Sequence, residues 1–160
     1  MKSQKQKIKN IIQAIKIAER NVKKNLGGPF GTVIVKNGRI VSVAANSVAR
    51  KNDPTAHAEI EAIRKASKKL KSFDLSGCEI YSSCEPCPMC LSAIYWSNIK
   101  KIYYAATANE AAKSGFRDDF IYKELAKPAS NRKVKEISFD IPQKSVPFKL
   151  WKKSANKIKY

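Results

Sequence analysis

Residues 78–106 read CEIYSSCEPCPMCLSAIYWSNIKKIYYAA, and this stretch decides the fold of the chain. A β-rich run from Cys78 to Ser83 precedes a cysteine–proline segment, an apolar stretch through Trp96 and a second β-rich run from Lys100. This order predicts a strand, a helix and another strand. Because one helix joins the two strands, we expect them to lie parallel in one sheet, connected by a right-handed crossover.

Two helices and a hairpin are predicted before this unit. Apolar residues recur at helical spacing from Lys5 to Lys24, which indicates an amphipathic first helix. Two β-rich runs then flank Asn37-Gly38, a dipeptide that suits the two-residue turn of an antiparallel hairpin. The second helix is expected to begin just before His57, with Asp53 as its N-cap and Pro54 at its first position.

The rest of the chain is predicted to contain a helix over Asp118 to Ala126, a strand near Val134 to Phe139 and a basic helix from about Pro147. No repeat or linker divides the 160 residues, a length that fits a single domain. The sequence therefore predicts a three-layer α/β/α domain. Its mixed, five-stranded sheet is expected to start with an antiparallel hairpin.

Composition and charge narrow the class of protein. Apolar residues make up 43% of the chain, and it contains neither an 18-residue apolar run nor a secretory pattern, which predicts a cytoplasmic protein without a membrane partner. The formal net charge of +19 could serve a nucleic-acid partner. Only six of the 32 basic residues are arginines and the lysines are scattered, so a solvated basic surface is the favoured interpretation.

The cysteines and the single histidine carry the most chemical information. Cytoplasmic thiols stay reduced, which favours metal binding over a disulfide between Cys78 and Cys84. Cys87 and Cys90 lie three residues apart at the start of a helix, where they share a face and the helix dipole favours thiolates. Cys84 is expected on the preceding strand. The predicted zinc ligands are therefore His57, Cys87 and Cys90, and a closed site that includes Cys84 is the alternative.

Three protein ligands would leave one zinc position open for water, whose pKa then falls to about 7. Glu59 is the candidate to move the proton of this water. Glu59 and His57 are two residues apart, about 200° around a helix, so both can face one site only at the N-terminal end of the helix. The pairing of H-A-E with P-C-P-M-C is similar to the signature of zinc-dependent deaminases.

Nearly the whole chain resembles the bacterial guanine deaminases of the cytidine-deaminase-like superfamily. Five segments carry the resemblance: GGPFGTVIVK from Gly27, NDPTAHAEIEAIRKA from Asn52, YSSCEPCPMCLSAIYW from Tyr81, GFRDDFIYKE from Gly115, and the ending FKLWKKSANKIKY. The resemblance implies a Zn²⁺ enzyme that hydrolyses free guanine to xanthine and ammonia in purine catabolism or salvage. It also implies a homodimer that exchanges C-terminal segments, about residues 130–160 here.

The resemblance implies roles for individual residues as well. Glu59 would take the proton of the water and pass it to the ring nitrogen and the departing amine. Asp118 would assist proton transfer at the amino group, and Asp119 is the alternative for this role. The implied substrate contacts are a base-binding amide, a stacking aromatic, a pocket residue and an aromatic lid, which correspond to Asn46, Phe30, Trp96 and Tyr160. The lid could come from the partner subunit.

Two other functions remain open from the sequence. A tRNA adenosine deaminase would share the zinc residues and would give the positive charge a purpose. A non-catalytic, zinc-stapled nucleic-acid-binding module would place Cys84 on the metal and would not need Glu59. The aromatic C-terminus and the GFRDDFIYKE segment favour an enzyme that closes its pocket over a free base.

Overall fold

The computed structural model describes residues 4–158. Its helices and strands, in chain order, are α1 (Gln4–Lys23), β1 (Gly31–Lys36), β2 (Arg39–Ala45), α2 (Val48–Lys51), α3 (Ala58–Leu70), β3 (Cys78–Cys84), α4 (Pro88–Trp96), β4 (Ile102–Ala106), α5 (Ala108–Lys113), α6 (Asp119–Leu125) and α7 (Val146–Lys153). Two short 3₁₀ turns lie at Ala129–Asn131 and Pro142–Ser145. The chain divides into a first unit that ends at Asp118 and a second unit from Asp119 onward.

The first unit is built around one mixed sheet with the strand order β2-β1-β3-β4. β1 pairs antiparallel with both β2 and β3, whereas β3 and β4 are parallel and α4 lies between them in sequence. The turn between β1 and β2 has positive φ angles, 50° at Asn37 and 81° at Gly38, which these two residue types tolerate. The predicted hairpin and the parallel strand–helix–strand unit are both confirmed.

Helices cover both faces of this sheet. One buried cluster, between the sheet and α1, contains Ala14, Val33, Val35 and Tyr81. The other cluster, between the sheet and helices α3 and α4, includes Ile34, Ala62, Ala66, Ile80 and Ile94. β1 contributes to both clusters because successive side chains of a strand point to opposite faces. The three-layer α/β/α architecture is thus confirmed.

The prediction of a fifth strand near Val134 to Phe139 is wrong. The sheet formed by residues 4–158 has four strands, and residues 134–139 adopt no regular structure. A strand requires a neighbour to accept and donate its backbone hydrogen bonds. The described part of the second unit contains no other strand, so the β-propensity of this segment has no partner to act on.

Helix α3 begins later than the sequence indicated, just after His57 instead of just before it, and Pro54 lies in a turn four residues before the first helical residue. His57 is its N-cap and Ala58 its first residue. Asp53 does not cap this helix, because its Oδ1 atom accepts hydrogen bonds from the backbone N–H and the hydroxyl of Thr55, at 2.8 and 2.7 Å. The histidine is thereby placed at the N-terminal end of α3. No helix within residues 4–158 is both long and apolar enough to cross a membrane.

Candidate active site

The N-terminal ends of α3 and α4 bring the three predicted zinc ligands together. His57 and Cys87 are the N-caps of these two helices. The Nδ1 atom of His57 lies 3.5 Å from the Sγ atoms of both Cys87 and Cys90, and the ligand atoms all lie within 4.8 Å of one another. Tetrahedral zinc, with Zn–N near 2.0 Å and Zn–S near 2.3 Å, separates N from S by about 3.5 Å. The donor set and its spacing therefore fit zinc with one position left open.

Cys84 lies outside this cluster of ligand atoms. Its thiol, at the end of β3, donates to the backbone carbonyl of Thr107 with a sulfur–oxygen distance of 3.6 Å. Burial raises the pKa of Cys84 to about 11, so the thiol keeps its proton, whereas zinc binds thiolates. Cys78 and Cys84 are both free thiols rather than disulfide partners.

The two cysteines of the cluster differ in their affinity for a proton. A hydrogen bond from Cys90 lowers the pKa of the Cys87 thiol, and His57 lowers it further. The same bond, together with burial and the charge of Glu59, raises the pKa of Cys90. The hydrogen bond with Cys87 also raises the pKa of His57. A zinc ion would bind both sulfurs as thiolates, a form that the N-terminal end of α4 favours.

Glu59 lies in the first turn of α3 and is only 5% exposed. One carboxyl oxygen, Oε1, accepts a hydrogen bond of 2.7 Å from the Ser82 hydroxyl, and Oε2 lies 3.5 Å from the Cys90 sulfur. Burial is the main cause that raises the pKa of this carboxyl. A buried carboxyl beside the cluster of His57, Cys87 and Cys90 is suited to hold and release a proton.

A cavity of about 470 Å³ opens beside this cluster. This volume falls in the range of about 300 to 1,000 Å³ that is usual for small-molecule sites. The lining includes His57, Glu59 and Cys87 together with Phe30, Asn46, Val48, Phe116, Arg117 and Asp118. The position of the histidine at the start of α3 thus allows both it and the glutamate to face one site, as the sequence required.

Asn46 and Phe30 are the two predicted substrate contacts that line the cavity. The Asn46 Oδ1 atom accepts hydrogen bonds of 3.3 Å from the backbone N–H groups of Gly28 and Val48. Because N–H groups only donate, these bonds fix the orientation of the amide and leave its Nδ2 group as a donor for a ligand. The ring of Phe30 meets Phe116 edge-on, with the ring centroids 4.9 Å apart.

Asn21 of α1 supports this wall of the cavity, and the sequence reasoning missed it. Its Nδ2 atom donates to the backbone carbonyls of Gly28, at 2.9 Å, and Asn46, at 3.0 Å, while the side chain is 3% exposed. The backbone at Gly27 also lies close to that of Asn46, since a Cβ on Gly27 would lie 2.7 Å from the Asn46 carbonyl oxygen. A polar residue on the buried face of an amphipathic helix was the available signal.

The remaining predicted site residues lie at different places. Asp118 lines the cavity, and its charge adds to the causes that raise the pKa of His57. Asp119 is not among the lining residues and forms an ion pair of 2.8 Å with Lys123. Trp96, at the C-terminal end of α4, is 72% exposed and does not line the cavity, so its role stays a prediction. Tyr160 lies outside the described residues.

The sequence reasoning also missed the wall formed by α5 and the loop after it. Ala108, Ala111 and Phe116 belong to this wall. The available sequence signal was the capping-box pattern of Thr107 and Glu110, which marks the start of α5. In the structure the Thr107 hydroxyl accepts from the Glu110 backbone N–H, and the Glu110 carboxylate accepts from the Thr107 N–H at 2.7 Å.

Comparisons with known proteins agree with this geometry. The cytidine and deoxycytidylate deaminase zinc-binding region matches residues 4–106. Guanine deaminase of Bacillus subtilis (strain 168) is 49% identical over 148 residues, which cover 92% of this chain and 95% of that protein. The X-ray structure of guanine deaminase from Bacillus subtilis superposes with a TM-score of 0.93 and 47% identity, covering 95% of this chain and 97% of that one.

A second group of relatives is similar over a shorter part of the chain. The tRNA-specific adenosine deaminase of Aquifex aeolicus is 41% identical over 107 residues, which cover 67% of this chain and 68% of that protein. Both groups of relatives and the matched zinc-binding region lead to the same assignment. The chain belongs to the cytidine and deoxycytidylate deaminase family.

Proposed function

We propose that the chain is a guanine deaminase that converts free guanine and water to xanthine and ammonia, in purine catabolism or salvage. The observation that carries this proposal is the 49% identity to the Bacillus subtilis guanine deaminase across 92% of this chain and 95% of that protein. The cavity beside the histidine–cysteine cluster supports it, because its size suits a free base.

The cofactor is zinc, held by His57, Cys87 and Cys90. These residues supply one nitrogen and two sulfur donors at the separation that tetrahedral zinc requires. When bound, zinc supplies Lewis acidity that lowers the pKa of a coordinated water to about 7. Cys84 takes no part, because its thiol is engaged with the Thr107 carbonyl.

Glu59 carries the protons of the reaction. As the water oxygen attacks the ring carbon that bears the amino group, Glu59 accepts one proton and delivers it to the adjacent ring nitrogen. Glu59 then transfers the second proton of the water to the amino group, which leaves as ammonia. Burial raises the pKa of Glu59 above that of an ordinary glutamate, which suits a group that must both accept and donate a proton. Asp118, also on the cavity wall, assists at the amino group.

Asn46 and Phe30 bind the base. Guanine presents two acceptors, O6 and N7, on one edge, whereas adenine has an N6 amino donor in place of O6. The Asn46 Nδ2 group donates to no residue within 4–158, so it can donate to O6 and favours guanine over adenine. The Phe30 and Phe116 rings form an aromatic wall for a flat heterocycle.

An ammonia-release assay tests this function. Zinc-loaded protein is expected to release ammonia from free guanine and to produce little from adenine, cytosine or guanosine. Chelator-treated protein, reconstituted with zinc in a parallel sample, serves as the control. Absence of turnover on guanine in the reconstituted sample would reject the proposal.

Two alternatives make separate predictions, and specific observations favour only the first of them. A tRNA adenosine deaminase is favoured by the net charge of +19 and by the similarity to the Aquifex protein. It predicts inosine formation on a tRNA anticodon arm and no reaction with free guanine. A non-catalytic zinc-stapled module predicts Cys84 on the metal, although the thiol of Cys84 lies outside the ligand cluster of the described residues.

We also propose a homodimer that exchanges C-terminal segments, about residues 130–160. The support is a set of apolar side chains that are at least half exposed in the single chain: Val134, Ile137, Phe139, Ile141, Phe148 and Leu150. Monomeric proteins seldom expose so many apolar groups together, and a second copy would cover them. Light scattering is expected to give twice the mass of the 17.9 kDa chain, and a monomer would contradict this proposal.

Mixing two inactive variants tests whether the Tyr160 lid comes from the partner subunit. One variant carries Glu59→Gln and an intact C-terminus, and the other has an intact site but lacks residues 154–160. If lids are exchanged, re-formed mixed dimers contain one complete site and regain activity. No recovery after subunit mixing would assign the lid to its own chain.

A cytoplasmic location is proposed as well, because free cysteines that bind metal are typical of reducing compartments.

A further inference from the structure

A buried hydroxyl on the central sheet holds the carboxyl of Glu59. Ser82, on β3, is fully buried and donates to the Glu59 Oε1 atom at 2.7 Å. Thr32, directly opposite on β1, is also fully buried, and its hydroxyl oxygen lies 3.4 Å from that of Ser82. A row of side chains thus runs from the middle of the sheet to the cluster of metal-ligand residues, in the order Thr32, Ser82 and Glu59.

The direction of these contacts follows from the chemistry of the groups. A serine hydroxyl has one hydrogen, and a carboxylate can only accept, so the hydrogen of Ser82 is committed to Glu59. Ser82 can then accept from Thr32, which fixes the serine hydroxyl in its turn. With Oε1 held by Ser82, the other oxygen, Oε2, faces the side where Cys90 lies.

The central sheet keeps the Ser82 hydroxyl in a fixed position. β3 is hydrogen-bonded to β1 on one side and to β4 on the other, and every residue of β3 is buried. The terminal torsion of a glutamate side chain is otherwise broad, with no strong preferred well. A hydroxyl fixed on a central strand therefore supplies orientation that the glutamate lacks by itself.

We infer that Ser82, supported by Thr32, is a positioning residue that fixes the Glu59 carboxyl so that Oε2 faces the site of proton transfer. This inference rests on the proposed deaminase function, in which Glu59 carries the protons. Ser82 is not one of the described residues that line the substrate cavity or that supply the ligand atoms, so it acts through Glu59. It should affect turnover and leave substrate binding and zinc binding unchanged.

An isosteric pair of variants tests the inference. Ser82→Thr keeps the hydroxyl and Ser82→Val removes it, while both add the same volume to a fully buried position. The valine variant is expected to lose about ten- to hundredfold in kcat relative to the threonine variant, as is usual for groups that orient a metal-site residue. KM for guanine, the inhibition constant of xanthine and zinc content are expected to match within the pair.

Ser82→Ala provides a second route that adds no volume, in case the larger side chains disturb the sheet. Its matched control is Ser83→Ala, which also removes a buried hydroxyl, one that accepts from the Gly31 backbone N–H at 3.0 Å and not one that holds Glu59. Only Ser82→Ala is expected to reduce kcat by this amount. On a Glu59→Ala background, Ser82→Ala is expected to have no further effect on residual turnover, because the two act as one unit.

Crystal structures of the zinc-loaded threonine and valine variants provide a readout that does not depend on activity. The Glu59 carboxyl is expected to keep its orientation in Ser82→Thr and to rotate or spread over several orientations in Ser82→Val. The inference is overturned if the carboxyl keeps one orientation in both, if kcat is equal in both, or if the loss appears in KM or zinc content instead. Failure of the wild type to deaminate guanine would reject the proposed function alone, since the carboxyl orientation still decides the role of Ser82.

Discussion

Replacing Glu59 by glutamine is the most informative single change. Glutamine has the same shape and can still accept the hydrogen bond of Ser82, which is 2.7 Å long in the wild type. His57, Cys87 and Cys90 are untouched, so the variant is expected to fold and to bind zinc with the stoichiometry of the wild type. What it loses is the ability to accept and return a proton.

The expected loss of catalytic rate follows from the role of the Glu59 carboxyl. A positioned proton carrier typically contributes about 10²- to 10⁴-fold to the rate, or about 2.7 to 5.5 kcal/mol of barrier. Steady-state ammonia release from guanine is therefore expected to show kcat reduced by this factor, with KM changed by less than about fivefold. Parallel zinc analysis of the same samples is the control. Full turnover with glutamine at position 59 would refute the proton-carrier role.

The same variant has a consequence for stability that can be measured in chelated protein. Burial raises the pKa of Glu59 above its value in the unfolded chain, so the folded wild type binds more protons than the unfolded chain between those two pKa values. The stability of the wild type therefore falls as pH rises through that window. Glutamine does not ionise, so the thermal midpoint of the variant should exceed that of the wild type at neutral pH, and the difference should shrink in acid. A difference independent of pH would contradict this.

Three further predictions concern the ligands, the support of the cavity wall and the C-terminus. Cys84→Ala is expected to retain stoichiometric zinc while Cys87→Ala loses it, as measured by metal analysis after dialysis; equal loss in both would indicate a closed four-ligand site. Asn21→Leu removes one hydrogen-bond donor from each of two backbone carbonyls, although that of Gly28 keeps the Phe30 N–H. The variant is expected to lower the free energy of unfolding by about 1 to 3 kcal/mol and to raise KM for guanine, as followed by urea denaturation and kinetics. An unchanged KM would show that Asn21 has only a structural role. Deletion of residues 154–160 is expected to preserve the circular dichroism spectrum and to reduce turnover strongly, and a fully active truncated enzyme would remove the lid from the mechanism.

The parts of the fold that the sequence predicted are those with local signals. Asn37-Gly38 marks its own turn, and the run from Cys78 to Ala106 contains both strands and the helix of the parallel unit. The cluster of His57, Cys87 and Cys90 was predictable for the same reason, because H-A-E and P-C-P-M-C are themselves local patterns.

The features that the sequence did not predict depend on which elements meet in three dimensions. The bonds from Ser82 to Glu59 and from Asn21 to Asn46 join residues 23 and 25 positions apart, and no local pattern specifies such partners. The segment Val134 to Phe139 shows the opposite error, since its residue types favour a strand but the described part of its unit contains no strand to pair with it.

The proposed deamination of free guanine requires a zinc ion that His57, Cys87 and Cys90 hold with one position open. The most direct measurement is ammonia release from guanine by protein that has first been stripped with a chelator and then titrated with zinc. Turnover should be absent without metal and should rise linearly with added zinc until it saturates at one zinc per chain. Activity that is independent of zinc, or a fully zinc-loaded protein that leaves guanine unchanged, would contradict it.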